Sequence, residues 1–329
     1  MKVVITGGAG FLGRRLARAL LARGRLAGQD GAEREIERLV LLDLVPAGEL
    51  QDSRVEVVTG DVADEALLRA VLGTDTASVF HLAAVVSAQA EADFDLGMRV
   101  NVDATRRLLD ACRGLARPPR LVSTSSVAVY GGALPDGVTD GTAVQPQSSY
   151  GTQKAIGELL VADYTRRGFV DGRVLRLPTV SVRPGKPNRA ASSFASGIIR
   201  EPLAGLEAVC PVSPETRLWL LSPRRAVESL VLGHELPSAA LGAVRAVNVP
   251  GLSVSVAEMV AALEAVGGRA VAGRIRWERD PAVERIVCSW PARWDCERAR
   301  QLGFAGDPDF ASIVRAHVED ELAGAPPGA

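Results

Sequence analysis

A tyrosine and a lysine four residues apart, Tyr150 and Lys154, are the pair in this 329-residue chain whose spacing points most clearly to chemistry. Three tyrosines and three lysines would produce this spacing by chance only about 0.03 times. Residues i and i+4 share one face of a helix, and a cation beside a phenol stabilises its phenolate. A phenol with the ordinary pKa of about 10 is a poor base at neutral pH, so a neighbouring ammonium is what would make it useful. The pair therefore predicts a general acid–base site.

A run of hydroxyl side chains precedes this pair. Residues 123–126 read Ser-Thr-Ser-Ser and lie at the end of a predicted strand at 120–124 and just beyond it. Open α/β sheets bind ligands at the carboxyl ends of their strands, so these hydroxyls are expected to face the ligand. The alternative is that they only cap the end of the strand.

Three glycines at intervals of three residues, Gly7, Gly10 and Gly13, connect a predicted strand (2–6) to a predicted helix (11–23). With 33 glycines in the chain, the triplet alone is a weak signal. In this context, however, glycines allow the backbone to approach a pyrophosphate that lies on the helix N-terminus. Phe11 and Leu12, the first helical residues, are included in this predicted dinucleotide site.

An acidic residue, Asp43, ends the second predicted strand (38–44). A carboxylate there can accept hydrogen bonds from both adenosine-ribose hydroxyls and would repel a 2′-phosphate. The cofactor is therefore predicted to be NAD rather than NADP. Further predicted cofactor contacts follow the third (55–58) and fourth (77–81) strands: Asp61, Val62, Leu82, Ala83 and Ala84.

Alternating strands and helices must position these residues. Buried runs and helical periods predict further strands at 120–124 and 173–177 and helices at 96–113 and 150–167, with the end of the first helix and a surface loop over 24–34. This order predicts an α/β fold, a doubly wound parallel Rossmann sheet with a smaller C-terminal α/β substrate lobe. The domains are expected at 1–180 and 181–329, with about 223–250 returning to the first. His81 is interpreted as a structural histidine at a strand end.

The composition excludes several classes of protein. Hydrophobic residues make up 47% of the chain, charged residues 23%, and the formal charge is −1, which argues against disorder and against nucleic-acid binding. Four scattered cysteines and three isolated histidines predict neither a disulfide framework nor a metal site. The chain opens on a strand and has no apolar run of membrane-spanning length, so a cytoplasmic protein without membrane contact is expected. A homodimer is one open expectation for its oligomeric state.

Together, the glycine triplet, Asp43, the hydroxyl run and the Tyr150/Lys154 pair resemble the extended short-chain dehydrogenase/reductase family of sugar epimerases, dehydratases and dehydrogenases. The resemblance covers nearly the whole chain. It implies that Tyr150 is the general base and acid, tuned by Lys154, which also holds the cofactor's ribose. It further implies that Ser126 hydrogen-bonds the reacting oxygen, that Ser125 lies beside the nicotinamide and that Asn101 lies near its ribose.

Two departures from the family pattern narrow the activity. Dehydratases carry an Asp-Glu pair where this chain has Val127 and Ala128, so elimination is not expected. Nucleotide-sugar epimerases usually carry an asparagine after the sixth strand, and the segment Arg176-Leu177-Pro178-Thr179 lacks it. In this segment Pro178 is assigned to the cofactor site and Thr179 to the substrate site.

A basic loop follows, with Arg183, Lys186 and Arg189 within seven residues. Arginines bind carboxylates through paired hydrogen bonds, so the loop predicts a small anionic substrate; a solvated basic loop is the alternative. With residues 190–194 and 210–219, the loop resembles a group within the family, the D-erythronate dehydrogenases, which use NAD to oxidise a four-carbon sugar acid at C2. The resemblance implies that Arg189, or else Arg183, binds the substrate carboxylate and that Ser87, in the loop after the fourth strand, contacts a hydroxyl.

The prediction is thus an NAD-dependent dehydrogenase that oxidises the C2 hydroxyl of a sugar acid. One alternative is an epimerase that oxidises its substrate only transiently, and accumulation of NADH in excess over enzyme separates the two. A second alternative is a non-catalytic NAD-sensing regulator. The Tyr150/Lys154 pair with its hydroxyl partner argues against a regulator, since sensing requires no tuned base.

Overall fold

The computed structural model describes residues 1–48, 50–185 and 191–322. The strands it contains are β1 (Lys2–Thr6), β2 (Arg25–Ala27), β3 (Glu33–Glu35), β4 (Arg38–Asp43), β5 (Val55–Thr59), β6 (Thr76–His81), β7 (Arg120–Ser126), β8 (Asp171–Leu177), β9 (Thr179–Val180), β10 (Ala208–Cys210), β11 (Arg217–Leu221), β12 (Ala246–Asn248), β13 (Leu252–Ser255) and β14 (Ile275–Trp277).

The α-helices are α1 (Phe11–Arg23), α2 (Glu65–Val71), α3 (Ser87–Ala92), α4 (Phe94–Gly97), α5 (Ala104–Arg113), α6 (Ser149–Arg166), α7 (Phe194–Leu203), α8 (Pro223–Glu235), α9 (Ser238–Leu241), α10 (Val256–Gly267), α11 (Arg269–Ala272), α12 (Pro281–Cys288), α13 (Glu297–Gln301) and α14 (Phe310–Glu321). A π-helical turn covers Met98–Asp103, and 3₁₀ turns cover Val127–Val129 and Ala191–Ser193.

The chain divides into two compact units. Unit 1 comprises 1–126, 148–176 and 227–248, and unit 2 comprises 127–147, 177–226 and the chain from 249 onwards. Each unit has its own cluster of buried apolar side chains. In the described ranges, no group of three or more His, Cys, Asp or Glu residues could hold a metal ion, and no helix is long and apolar enough to cross a membrane.

Unit 1 is built on a seven-stranded sheet with the order β12-β8-β7-β6-β1-β4-β5. The inner strand β1 is buried along its whole length and pairs in parallel with β4 on one side and β6 on the other. Strands buried on both faces are typical of parallel sheets covered by helices. The strand order reverses at β1, and such a switch point is where α/β sheets bind ligands. The predicted doubly wound sheet is confirmed.

The polar segment 24–34 was expected to be a surface loop, and this expectation is wrong. Strands β2 and β3 form an antiparallel hairpin there, with Arg25 opposite Glu35. Leu26 and Ala27 of β2 are buried, and on the exposed side Arg25 lies 3.7 Å from Glu33 and 3.6 Å from Glu35. Glu235 also accepts a 3.0 Å hydrogen bond from the backbone of Ala27.

The helix expected over 96–113 is interrupted. The chain forms α4, then the π-helical turn Met98–Asp103, and only then α5. A π-helical turn accommodates one residue more than an α-helical turn and often marks a functional position. Asn101 lies within this turn.

Unit 2 contains a three-stranded sheet, β13-β11-β9, and a parallel pair, β10-β14. Helices α7, α10 and α14 contribute most of its buried cluster, with side chains such as Ile198, Met259 and Ile313. Strand β9 pairs in parallel with β11, which places Thr179 opposite Leu220. This pairing fixes the segment that follows Pro178.

Candidate active site

The glycine loop is shaped by close backbone contacts within unit 1. Gly7 has φ +72, which glycine adopts without strain, and both Gly7 N and Gly8 N donate to the Leu42 carbonyl, at 2.9 and 3.2 Å. A Cβ on Gly13 would lie 2.2 Å from the Gly7 oxygen, so α1 can approach β1 only because Gly13 has no side chain. A Cβ on Gly10 would lie 3.1 Å from the same Gly7 oxygen, which is also a tight contact.

This loop ends at the N-terminus of α1, where Gly10 is the N-cap and provides no side-chain hydrogen bond. The first N–H groups of a helix have no partners within it, and Phe11 and Leu12 carry two of them. The first turn of α1 contains no acidic residue. An N-terminus of this kind fits a pyrophosphate, which agrees with the predicted roles of Gly7, Gly10 and Gly13.

Asp43 ends β4 beside this loop. Its Oδ2 accepts a 3.0 Å hydrogen bond from Ala9 N, so the carboxylate is fixed next to the glycine cradle. Leu82 N donates to the Thr6 carbonyl at 3.1 Å, and Gly7 approaches Leu82 and Ala83 so closely that a Cβ would lie 2.7 Å from Ala83 N. Asp43 and the start of the segment 82–84 thus each border the glycine loop.

Asp61 and Val62 follow β5. Asp61 Oδ1 accepts a 2.8 Å hydrogen bond from Ala63 N, and Oδ2 pairs with Arg99. Burial alone would raise the pKa of Asp61, but the Ala63 N–H and the Arg99 guanidinium together lower it below its ordinary value. Val62 is 7% exposed and belongs to the buried cluster of unit 1. Asp61 therefore presents an ionised, partly engaged carboxylate, and contact of either residue with the adenine stays a prediction.

The Tyr150/Lys154 pair lies at the start of α6, which Ser148 caps by accepting a hydrogen bond from Gly151 N. Lys154 Nζ lies 5.7 Å from the centroid of the Tyr150 ring and donates a 2.9 Å hydrogen bond to the Thr124 carbonyl. Burial lowers the pKa of Lys154 to about 8, although the nearby Glu158 carboxylate opposes this shift. The geometry places an ammonium beside a phenol and anchors it to strand β7.

The two serines at the end of β7 differ in their surroundings. Successive side chains on a strand point to opposite faces, and Ser125 is 5% exposed whereas Ser126 is half-buried. Ser125 Oγ donates a 2.5 Å hydrogen bond to Glu158 Oε1. The hydroxyl of Ser125 is thus directed at a buried carboxylate, and its position beside the nicotinamide stays a prediction.

Asn101 uses its side chain to hold the loop after β6. Its Oδ1 accepts from Val85 N at 2.8 Å, and its Nδ2 lies 3.0 Å from the Val85 oxygen and 2.7 Å from Gln153 Oε1. Asn101 is 4% exposed. These bonds make it a residue that positions the loop, and a direct contact with the nicotinamide ribose stays a prediction.

His81 lies between the glycine strand and α5. Its Nδ1 is 2.7 Å from Thr6 Oγ1 and its Nε2 is 3.0 Å from Thr105 Oγ1. Because Thr105 donates its proton to the Asn101 carbonyl, His81 Nε2 carries the ring proton and Nδ1 accepts from Thr6. Burial and the charge of Lys154 lower the pKa of His81 to about 3, so this ring is a neutral connector.

The predicted substrate residues are distributed over both units. In unit 1, Ser87 was expected in a loop, but it is the first residue of the short helix α3. In unit 2, Thr179 starts β9, and the backbone of Arg183 is fixed by Ser196 Oγ at 3.0 Å and by Arg200 Nη1 at 2.6 Å. Lys186 and Arg189 lie outside the described residues.

Two residues that the sequence analysis did not select lie next to the pair. Glu158 is four residues beyond Lys154, and Arg176 on β8 binds it through Nε at 2.9 Å and Nη2 at 2.6 Å. The repeat of four residues from Tyr150 to Lys154 to Glu158 was a signal that could have identified Glu158.

A dinucleotide cradle and a phenol–ammonium pair on one Rossmann sheet are features of an enzyme that moves hydride between a nicotinamide and a carbon–oxygen centre. The model of the NAD dependent epimerase/dehydratase family matches residues 3–220, and the chain belongs to this family. The predictions that the protein is an enzyme, an oxidoreductase, and that its cofactor is NAD are confirmed.

Relatives over the full length have more specific names. The chain is 65% identical to the D-erythronate dehydrogenase of Cupriavidus necator over 97% of this chain and 98% of that protein. It is 46% identical to the D-erythronate dehydrogenase of Haemophilus influenzae over 98% of this chain and all of that protein. A crystal structure named as a nucleoside-diphosphate-sugar epimerase from Agrobacterium tumefaciens is 42% identical, with a TM-score of 0.91, covering 99% of this chain and 95% of that one.

The contact of Asp43 with the loop leads to a prediction about cofactor choice. We expect Asp43→Asn to weaken NADH binding about tenfold, because a charged acceptor of ribose hydroxyls is replaced by a neutral one. Binding of NADPH should improve, since a 2′-phosphate is no longer repelled. Fluorescence titration with both dinucleotides measures the two dissociation constants.

A matched control is Asp64→Asn. Asp64 caps α2 by accepting hydrogen bonds from Ala66 N and Leu67 N, and asparagine caps a helix equally well. This variant should leave both dissociation constants unchanged. If Asp43→Asn keeps the wild-type preference for NADH, Asp43 does not select the cofactor.

Proposed function

We propose that this protein is a D-erythronate dehydrogenase, which oxidises the C2 hydroxyl of D-erythronate to give 2-dehydro-D-erythronate. The observation that carries the substrate assignment is that two relatives spanning the whole chain, at 65% and 46% identity, both have that name. A small anionic sugar acid also suits the basic loop that contains Arg183 and Arg189.

The residues of unit 1 support the proposed chemistry. Tyr150, as phenolate, accepts the proton of the C2 hydroxyl, and the Lys154 ammonium 5.7 Å from the ring centroid stabilises that phenolate. Ser126 at the end of β7 hydrogen-bonds the reacting oxygen. Bound NAD supplies the hydride acceptor. Gly7, Gly10 and Gly13 would hold its pyrophosphate, and Asp43 would hold its adenosine ribose.

The test is a substrate panel with NAD, following the absorbance of NADH. The panel contains D-erythronate, its C2 and C3 epimers, longer aldonic acids, a uronic acid and a UDP-sugar. We expect NADH to accumulate in stoichiometric excess over enzyme, with kcat/KM for D-erythronate about tenfold or more above the others. Conversion of the UDP-sugar to its epimer without net NADH would instead support the activity named for the Agrobacterium structure.

The basic loop gives a second, separate prediction. We expect Arg189→Ala to raise KM for D-erythronate about 100-fold, because a charge-assisted pair of hydrogen bonds to the carboxylate is lost. KM for NAD should change less than about twofold, since these bonds are to the acid alone. Steady-state kinetics with one substrate saturating measures both constants.

Arg183→Ala is the matched comparison in the same loop, because the backbone of Arg183 is fixed by Ser196 and Arg200 whichever side chain it carries. An unchanged KM in Arg189→Ala, with a raised KM in Arg183→Ala, would move the carboxylate contact to Arg183. If neither changes, Lys186 is the remaining cation of the loop.

The cytoplasmic location and the homodimer also stay predictions, and sedimentation of the purified protein tests the latter.

A further inference from the structure

A buried polar network extends behind the Tyr150/Lys154 pair in unit 1. Glu158 is 8% exposed and lies one helical turn after Lys154 on α6. Its Oε1 accepts from Ser125 Oγ at 2.5 Å and from Arg176 Nε at 2.9 Å, and its Oε2 accepts from Arg176 Nη2 at 2.6 Å. Arg176 Nη1 lies 3.3 Å from Asn248 Oδ1 on β12. One carboxylate thus connects helix α6 to strands β7 and β8.

A buried charge is costly unless it is paired, so such a carboxylate needs a reason to be there. Arg176 could satisfy Glu158 by itself in a purely structural pair. Glu158, however, also acts on Lys154, whose ammonium is anchored on the Thr124 carbonyl at 2.9 Å. Burial lowers the pKa of Lys154, and the charge of Glu158 opposes that shift.

We propose that Glu158 is a positioning residue for the acid–base pair, whose buried carboxylate keeps Lys154 charged and in place beside Tyr150. This inference rests on the proposed roles of Tyr150 and Lys154. It assigns to Glu158 no contact with substrate or cofactor. Through Ser125, the same carboxylate also fixes the end of β7, the strand that carries the Thr124 carbonyl.

The other charged or titratable groups around Lys154 do not replace Glu158. Tyr150 on the same helix is the group that Lys154 serves. His81 on β6 is neutral in the working range, because its pKa is lowered to about 3. Arg176 on β8 is a cation, so it disfavours a second positive charge nearby. Glu158 is therefore the group with the sign required to keep the ammonium protonated.

The sign of the effect follows from these charges. Without the carboxylate, the pKa of Lys154 falls further and the amine becomes neutral at neutral pH. The phenolate of Tyr150 then loses its stabilising cation and forms only at higher pH. The pH range over which the enzyme is active therefore narrows from both sides. The acid limb of the pH profile, due to Tyr150, moves to higher pH, and the alkaline limb, due to Lys154, moves to lower pH.

The experiment is an ultraviolet difference titration of phenolate in the protein without cofactor or substrate. The chain contains only three tyrosines, and subtracting the curve of Tyr150→Phe in each background isolates Tyr150. Burial and the hydrogen bond to Asp110 raise the pKa of Tyr164, which further separates its signal. We expect Glu158→Gln to raise the pH at which the Tyr150 phenolate appears by about 1.

Arg176→Gln is the matched control, because it breaks the same ion pair with the same replacement residue but keeps the carboxylate. It should leave the titration of Tyr150 unchanged or move it slightly down. Should Glu158→Gln not fold, the double variant Glu158→Gln/Arg176→Gln removes both charges together and should show an upward shift that is smaller, because loss of the Arg176 cation favours the Lys154 ammonium. An equal shift in Glu158→Gln and Arg176→Gln, or no shift when Glu158 is replaced, would overturn the proposal.

Kinetics give an independent second measurement. The kcat/KM profile of Glu158→Gln for D-erythronate should be narrower than that of wild type, and the profile of Arg176→Gln should not. Failure of D-erythronate as a substrate would remove this second measurement and refute the proposed function. It would leave the phenolate titration, which requires no substrate, as the test of Glu158.

Discussion

Tyr150→Phe is expected to lower kcat about 1,000-fold while the affinity for NADH stays within about twofold of wild type. General acid–base catalysis by a positioned side chain contributes factors of this size. Phenylalanine keeps the ring that packs against the buried cluster of unit 1 and removes only the oxygen that accepts the proton. The folded state should therefore survive, and the loss should appear in the chemical step.

Steady-state rates with D-erythronate, together with fluorescence titration of NADH, separate these two effects. Tyr164→Phe is the control, because Tyr164 lies on the same helix and donates a 2.6 Å hydrogen bond to Asp110, away from Lys154. It should keep wild-type kcat. If Tyr150→Phe retains activity within about tenfold of wild type, Tyr150 is not the base.

Lys154→Arg is expected to lower kcat/KM about 100-fold, although it conserves the charge. The ammonium is compact, and its Nζ reaches the Thr124 carbonyl at 2.9 Å while lying over the Tyr150 ring. A planar guanidinium on a longer side chain cannot occupy the same point, so arginine and lysine are not interchangeable here. The misplaced cation stabilises the phenolate less, and binding of the nicotinamide ribose is weakened.

Lys154→Arg should also differ from wild type in the pH dependence of its activity. The wild-type ammonium is charged below its pKa of about 8 and loses its charge above it, so its support of the phenolate weakens as the pH rises. Arginine stays protonated throughout this range. The residual activity of Lys154→Arg should therefore lack the alkaline limb that deprotonation of Lys154 causes in wild type.

Lys2→Arg is a matched control for Lys154→Arg. Lys2 is 5% exposed and donates a 2.5 Å hydrogen bond to the Val71 carbonyl, so it too is a buried lysine bound to a carbonyl. That substitution should leave kcat/KM unchanged even if it lowers the melting temperature. Activity of Lys154→Arg within about tenfold of wild type would show that the charge alone is sufficient.

Most of the sheet could be predicted because its strands are buried runs between helical periods. Strand β1 and helix α1 have the predicted bounds, since both are read from local apolar patterns and from the glycines between them. The hairpin β2-β3 was missed because each of its strands has only three residues and β3 is exposed and charged, so neither strand shows an apolar period. The π-helical turn was missed because apolar periodicity does not distinguish it from an α-helix, and the bonds of Asn101 to Val85 join residues 16 positions apart.

The candidate site shows the same division. Tyr150 and Lys154 were found because their relation is local, four residues along one helix. The pair Glu158–Arg176 spans 18 residues and two elements, and the sequence contains no local pattern that joins them. The bond from the Ser125 hydroxyl to Glu158 could not be predicted for the same reason, since Glu158 becomes a neighbour of Ser125 only in the folded chain.

Because of the π-helical turn at Met98–Asp103, the position of Asn101 depends on the number of residues in this stretch as well as on their identity. An α-helix across the same stretch would need one residue fewer, and removing one would rotate Asn101 by roughly 100° relative to α5. Its amide would then leave Val85, although every amino acid on either side remained the same. In this part of the chain a deletion is therefore more damaging than a substitution, and related sequences of different length here should differ in how the loop after β6 is held.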